Sequence, residues 1–200
     1  MQLQVDTPSG PAGVDLDQPR SAVALLVLGH GAGGGIDAPD LRAVRARAVA
    51  EGMAVARVTQ PYRVAGRRTP APAPRLDEAW LSVISALRAR RALARLPLIA
   101  GGRSSGARVA CRTAAAAAAV GVVALAFPVH PPGRPEKSRL DELELPCVPV
   151  LVVQGERDPF GIPPPGPRRE VVLVPADHSL KGGLVAVGDA VRDWLSGLLG

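Results

Sequence analysis

Leu96-Pro97-Leu98-Ile99-Ala100-Gly101-Gly102-Arg103-Ser104-Ser105-Gly106-Ala107 changes character twice over a short span. It begins as an apolar run of strand length, passes through glycines, and enters the alanine-rich stretch that follows Ala107. Gly102-x-Ser104-x-Gly106 within it has the G-x-S-x-G spacing, in which a serine occupies a strained strand-to-helix turn and small residues two places away let the backbone pass close to its neighbours. The context matters because 22 glycines make a five-residue match by chance easy. Here the match stands between a strand and a helix, where the turn requires it. The same steric rule selects Ser104 over Ser105. With Ser105 as the nucleophile the flanking positions would be Arg103 and Ala107, and an arginine cannot occupy a crowded turn as glycine can.

Working outward, strands and helices alternate. Ala22 to Leu28 is a continuous apolar run that stops at Gly29, as a strand buried on both faces should. Asp37 is placed to cap a helix with Pro39 in its first turn and Leu41, Val44 and Ala48 on one face, closing at Glu51-Gly52. Met53 to Val58 is strand-like, and Leu76, Trp80, Ile84 and Leu87 mark a helix running to about Arg91. Leu96 to Gly101 is a strand, Ser104 to Ala119 a helix, and Val120 to Phe127, Val148 to Gly155 and Glu170 to Val174 are strands. A final helix is carried by Leu184, Val187, Val191, Trp194 or Leu195, and Leu198, while residues 2 to 5 are a candidate edge strand. This order implies right-handed crossovers, an α/β fold with a mostly parallel central sheet and helices on both faces, and a single domain over residues 1–200.

In such sheets chemistry gathers beyond the carboxyl ends of the strands. A serine hydroxyl needs a base within hydrogen-bond reach, and the base needs a carboxylate to hold its tautomer. Only three histidines are present. In the chain order Ser, then Asp or Glu, then His, His178 is the base, because His30 precedes the serine and His130 precedes the candidate acid. Asp158, in Gln154-Gly155-Glu156-Arg157-Asp158-Pro159, leaves a strand at the same rim. Asp177 competes for the acid's role, but it adjoins His178 and would have to fold back sharply; it reads as a turn residue. Leu28-Gly29-His30-Gly31-Ala32-Gly33-Gly34 supplies backbone N–H groups for an oxyanion, from Ala32 or Gly31, together with Ser105. His30 would brace that loop. Tyr62, His130 and Phe160 lie on rim loops, where they line a substrate pocket or pack the loops. Arg103 meets an anionic substrate or, more simply, pairs with a surface carboxylate.

Other function classes find less support. Gly29-x-Gly31-x-x-Gly34 fits a dinucleotide fingerprint, yet no carboxylate occurs between Met53 and Arg75 to hold a ribose, so no cofactor is expected. The two cysteines, Cys111 and Cys147, have no metal-ligand or redox-pair spacing and read as core filler, and no metal is expected. The net charge of +6 comes from dispersed arginines, which gives no case for nucleic acid. Their densest cluster, Arg88, Arg90, Arg91 and Arg95, reads as a solvated helix end. Ala114 to Phe127 falls short of the roughly 20 apolar residues of a membrane span. Met1 to Arg20 lacks the pattern of a secretory signal, so a cytoplasmic location is expected.

Taken together, Gly29-His30-Gly31-Ala32-Gly33, Gln60-Pro61-Tyr62-Arg63, Gly101-Gly102-Arg103-Ser104, Phe127-Pro128-Val129-His130-Pro131-Pro132-Gly133 and Gln154-Gly155-Glu156-Arg157-Asp158-Pro159-Phe160-Gly161 resemble the small α/β-hydrolases related to dienelactone hydrolases. That group includes an animal testis-expressed protein and the hydrolase-like domain of a scaffold subunit in a histone acetyltransferase complex. The resemblance implies an α/β-hydrolase fold without a cap domain, and Ser104, Asp158 and His178 at the triad positions. The expected function is hydrolysis of an ester, thioester or amide in a small-molecule acyl substrate through an acyl-enzyme. Dienelactone hydrolases proper carry cysteine at the elbow, so their particular reaction does not transfer. The alternative is a non-catalytic interaction module that keeps the fold.

Overall fold

Apolar runs with no polar face must be covered on both sides. The computed structural model, which describes residues 1–200, does this with one sheet between two helical layers. In chain order the elements are β1 (Gln2–Thr7), β2 (Gly10–Asp17), β3 (Leu25–Gly29), α1 (Pro39–Ala50), β4 (Ala54–Thr59), α2 (Pro61–Val64), α3 (Ala73–Arg88) and β5 (Leu98–Arg103). They continue as α4 (Ser105–Thr113), β6 (Gly121–Leu125), α5 (Leu140–Glu144), β7 (Val150–Gly155), β8 (Arg169–Val174) and α6 (Leu184–Leu199). The strands lie in the order β1-β2-β4-β3-β5-β6-β7-β8, parallel from β4 to β8, with the β1–β2 hairpin added antiparallel at one edge. This is the α/β-hydrolase arrangement, and no cap domain interrupts it.

β3, β6 and β7 are buried at every position, as their apolar runs require, with Gln154 in β7 the one polar side chain among them. On one face α1 and α6 pack through Leu41, Val44, Ala48, Val187, Val191 and Leu195; Leu195, not Trp194, takes the central place. On the other, α3 and α4 pack around the fully buried Trp80. No helix is long and apolar enough to cross a membrane.

Several local expectations are corrected. Gly10–Asp17 is a strand hidden behind a Gly-Pro start; Ala12, Val14 and Leu16 alternate inward along it. The alanine-rich helix ends at Thr113 and continues as turns, with Ala118 left-handed, so that Val120 can donate to Leu98 O and enter the sheet. Asp37 does not cap α1: Ala38 stands at that position, Asp37 turns to Arg57 at 3.1 Å, and Asp40 Oδ1 accepts the Leu41 N–H at 2.9 Å. Cys111 is core and burial pushes its thiol up to about 12, but Cys147 is exposed on the loop before β7.

Chain order reverses at β3: β4 lies on one side of it and β5 on the other, so the loops after β3 and β5 meet at the switch point. Their contact is tight. A Cβ added to Gly106 would lie 2.4 Å from Gly29 O, and one on Gly102 would lie 2.7 Å from the same atom. Gly106→Ala is therefore expected to lower stability by about 3 kcal/mol, whereas Gly33→Ala, with nothing within 4 Å of the new methyl, should leave the urea midpoint almost unmoved. Equal midpoints for the two variants would remove the steric account of the turn.

Candidate active site

Ser104 sits at φ 52°, ψ −108°, a conformation that L-residues adopt only when their surroundings force it. The forcing groups are the Gly29 backbone pressed against Gly106 and the Ser104 N–H bond to Leu125 O at 2.9 Å. Its Oγ consequently projects from the rim at the start of α4, 3.1 Å from His178 Nε2.

His178 and Asp158 arrive from the ends of β8 and β7. Those loops are sewn together by Glu156 N–H to Val174 O at 2.9 Å and Arg157 N–H to Ala176 O at 3.0 Å. The approach leaves no room at Gly155, where a Cβ would meet Asp177 O at 2.5 Å. His178 Nδ1 is 2.8 Å from Asp158 Oδ2. The same oxygen accepts from Gln154 Nε2 at 2.8 Å, and Asp158 Oδ1 accepts the Phe160 N–H at 2.9 Å. The Asp158 side chain is wholly buried, so these bonds stand in for the water it has lost. Phe160 lays its ring edge-on to His178 with centroids 4.4 Å apart. Asp177 is exposed and accepts from Ser179 N and Oγ at 2.8 and 2.6 Å, a side-chain turn that holds its carboxylate low and occupied.

The glycine loop after β3 is braced as a unit. His30, buried, sets its Nδ1 at 2.8 Å from Gly31 O and accepts the Gln60 N–H on Nε2 at 3.1 Å. These partners assign a neutral ring with its proton on Nδ1, and burial lowers its pKa in agreement. Tyr62 Oη donates to Ala32 O at 2.8 Å. That fixes the peptide following Ala32, while the Ala32 N–H makes no bond within the chain. Gly31 lies against the Arg103 guanidinium, close enough that a Cβ would stand 2.9 Å from its Nη1.

Arg103 differs from its expected surface role. Its Nη2 donates to His178 O at 2.9 Å, and its Nε lies 2.8 Å from Oδ2 of Asp40, whose side chain is fully buried. The latter is a charge contact more than an aligned hydrogen bond. Burial raises the Asp40 pKa, and the Arg103 charge opposes that rise. Asp40 and Gln154 are site residues that the sequence reading does not single out. The signals were present: one amide closes the apolar run Val150–Val153, and one carboxylate stands in the first turn of α1.

A cavity of about 430 Å³ opens beside Ser104. Ala32, Ser105, Leu76, Pro128 and Phe160 line it, together with Arg108, Arg112 and Arg139. Tyr62 stands behind the loop and does not reach this cavity, and His130 packs behind Phe160 with ring centroids 6.5 Å apart. A hydroxyl, an imidazole and a buried carboxylate in one hydrogen-bonded row, beside a cavity, can move a proton from the hydroxyl to the ring as the oxygen attacks an electrophile.

A family model described as an alpha/beta hydrolase domain matches residues 22–181, a span that holds Ser104, Asp158 and His178. The chain belongs to the α/β-hydrolase domain family. No curated protein matches it in sequence. Among solved structures, this α/β-hydrolase is similar to a serine hydrolase homologue from Coxiella burnetii, at 16% identity and TM-score 0.78 over 98% of this chain and 97% of the other. It is similar to a lid-less α/β serine hydrolase of Xanthomonas campestris at 22% identity and TM-score 0.75, over 97% and 94% of the two chains. A dienelactone hydrolase of Anabaena variabilis aligns at 18% identity and TM-score 0.78, over 98% and 96%. At these identities the likeness is one of fold.

Two consequences of the buried polar groups are measurable in the hydrolase. Arg103→Met strands the Asp40 carboxylate and is expected to cost about 3–5 kcal/mol. Adding Asp40→Asn should restore part of that loss; strictly additive costs in the four-variant cycle would remove the pairing. His30 has a folded pKa below 6.5, so the unfolded chain binds its proton first. Its contribution is complete above pH 6.5 and is lost as pH falls through the folded value. The stability difference between wild type and His30→Gln, followed by urea titration, should shrink with acidification; a constant difference would contradict the neutral-ring assignment.

Proposed function

We propose that the protein is a serine hydrolase acting on an ester, thioester or amide carbonyl, and the observation that carries this is His178 spanning from Ser104 Oγ to buried Asp158. Ser104 Oγ attacks the carbonyl carbon as its proton passes to His178 Nε2. The imidazolium formed is stabilised by Asp158. The carbonyl π pair moves onto oxygen, to which the N–H groups of Ser105 and Ala32, or of Gly31 beside it, donate hydrogen bonds at about 3 kcal/mol of stabilisation per donor. Collapse re-forms the carbonyl and breaks the bond to the leaving group, which takes the proton from His178. Water then repeats the sequence on the acyl-enzyme, His178 now receiving the water's proton and returning it to Ser104. Arg103 and Gln154 position the base and the acid without touching the substrate.

The motif likeness to the testis-expressed and acetyltransferase-scaffold proteins favours a second reading, a binding module without catalysis. Against it, a binding surface has no use for a strained serine and a buried carboxylate aligned on one histidine.

Ser104→Ala is expected to abolish both fluorophosphonate labelling and hydrolysis of a short p-nitrophenyl ester, with circular dichroism unchanged. Asp158→Asn should lose up to about 10⁴-fold in kcat, because it favours the wrong tautomer and removes the counter-charge. Asp177→Asn should stay within a few-fold of wild type, since its carboxylate already serves the Ser179 turn. Labelling of Ser104→Ala, or a crippled Asp177→Asn beside an active Asp158→Asn, would overturn the assignment.

A further inference from the structure

The cavity beside Ser104 carries more positive charge than the protein neutralises. Arg108, on α4, forms a two-point pair with Glu142 at 2.7 and 2.6 Å. Arg112, one turn further on, does the same with Asp77 at 2.8 and 2.6 Å and also reaches Glu142 at 3.2 Å. Both carboxylates are thus committed. Arg139 lines the same cavity, half-buried, and its guanidinium makes neither an ion pair nor a hydrogen bond. Three guanidiniums against two carboxylates leave one uncompensated charge. Arg139 is nevertheless held in place: its N–H donates to Val129 O at 2.7 Å, and its carbonyl accepts the Glu142 N–H at 3.1 Å at the start of α5. Partial burial and then the nearby Arg108 lower its pKa, as expected for a cation kept from water beside like charge.

Electrostatics of this kind is relieved by an anion from outside. The position says which part of a substrate brings it. The leaving group must sit against His178 Nε2 to take its proton. The cavity is lined along α4 by Ser105, Arg108 and Arg112, and the acyl portion is assigned to it. Arg108 and Arg112 stand four and eight places after Ser104, about 6 and 12 Å along the helix axis. Leu76, Pro128 and Phe160 supply an apolar surface for the intervening chain.

We infer that the cavity selects acyl groups ending in an anion, a carboxylate or a phosphoryl group, bound by Arg139 with Arg108 and Arg112 behind it. This rests on the Ser104 hydrolase reading for the position of the scissile carbonyl. Arg139 is a specificity residue under it, and the partnered arginines hold the field that keeps the anion in register.

The test compares p-nitrophenyl esters of adipate, of its neutral methyl ester, and of a phosphonate of the same length. Wild type is expected to show kcat/KM at least about 10-fold higher for one of the anionic esters than for the neutral one, the size of one charged hydrogen bond. The preference should fall as salt is raised. Whichever anion is faster identifies the group. Arg139→Gln should reduce the anionic-to-neutral ratio about 10-fold, and Arg139→Lys should recover part of it. Alongside, calorimetric titration of Ser104→Ala with monomethyl adipate, its phosphonate counterpart and dimethyl adipate reads binding without chemistry. Anion binding that Arg139→Gln weakens, with no turnover and no fluorophosphonate labelling of wild type, supports the anion site and sinks the hydrolase reading. Hydrolysis at equal rates for charged and neutral esters, or titrations in which neither anion binds better than the diester, overturns the anion site and leaves the hydrolase reading intact.

Discussion

The contact on which the rest depends is the one between the Gly29 carbonyl and the Gly102–Gly106 turn. Backbones approach so closely there that a single methyl group on Gly106 would meet oxygen at 2.4 Å. Because the turn is pinned from that side, Ser104 is held at positive φ and its side chain can only project outward. The same approach seats the glycine loop over the first turn of α4, so the Ser104 hydroxyl and the backbone N–H groups of that loop are aligned by one packing event. The strain at Ser104 is maintained by sheet pairing: β5 lies between β3 and β6, and neither neighbour can shift without unzipping buried strands.

Around that contact the polar groups are buried in a graded way. Asp158, Asp40, Gln154 and His30 are all shielded from water, and each is held by named partners from a different element. In a low-dielectric surrounding such bonds gain strength, and a missing one becomes costly. Burial therefore makes the geometry rigid. Arg103 shows how the links combine: it ties α1, through Asp40, to the His178 carbonyl, so that the helix before β4 fixes the loop after β8. Gln154 does the same between the β6 and β7 loops, donating toward Phe127 O, Gly161 O and Asp158 from one amide nitrogen. The two N–H groups of that amide are shared among three acceptors.

How much of this was legible depended on whether the signal was local. β3, β5, β6 and β7 announce themselves because full burial demands an apolar run, and the turn at Ser104 announces itself because only glycine fits two places to either side of it. The order Ser104, Asp158, His178 followed from topology, and the three side chains meet in the structure. What sequence did not reveal involved partners far apart in the chain. β2 is a strand only because β1 and β4 flank it, and its Gly10-Pro11 start reads as a turn in isolation. Asp37 looks like a helix cap until Arg57 competes for its carboxylate. Tyr62 looked equally suited to a pocket or a loop; its hydroxyl finds Ala32 O, thirty residues away, and that bond decides its place.

Under the two proposals, α4 links the chemistry to the substrate's charge. Its N-terminal N–H groups carry partial positive charge, which the proposed reaction would direct at the developing oxyanion. Arg112, in its last turn, stands at the negative end of the helix dipole and is favoured there. Arg108 and Arg112 are two of the three arginines that line the cavity, so one element directs positive potential both at the Ser104 end and along the cavity. The carboxylates that pair with them come from α3 and α5, which anchors the guanidiniums and limits how far they can reach toward a ligand. Arg139 lacks such an anchor on its guanidinium. Under the anion-site proposal, discrimination among substrates falls to that one side chain, while the paired arginines set the field it works in.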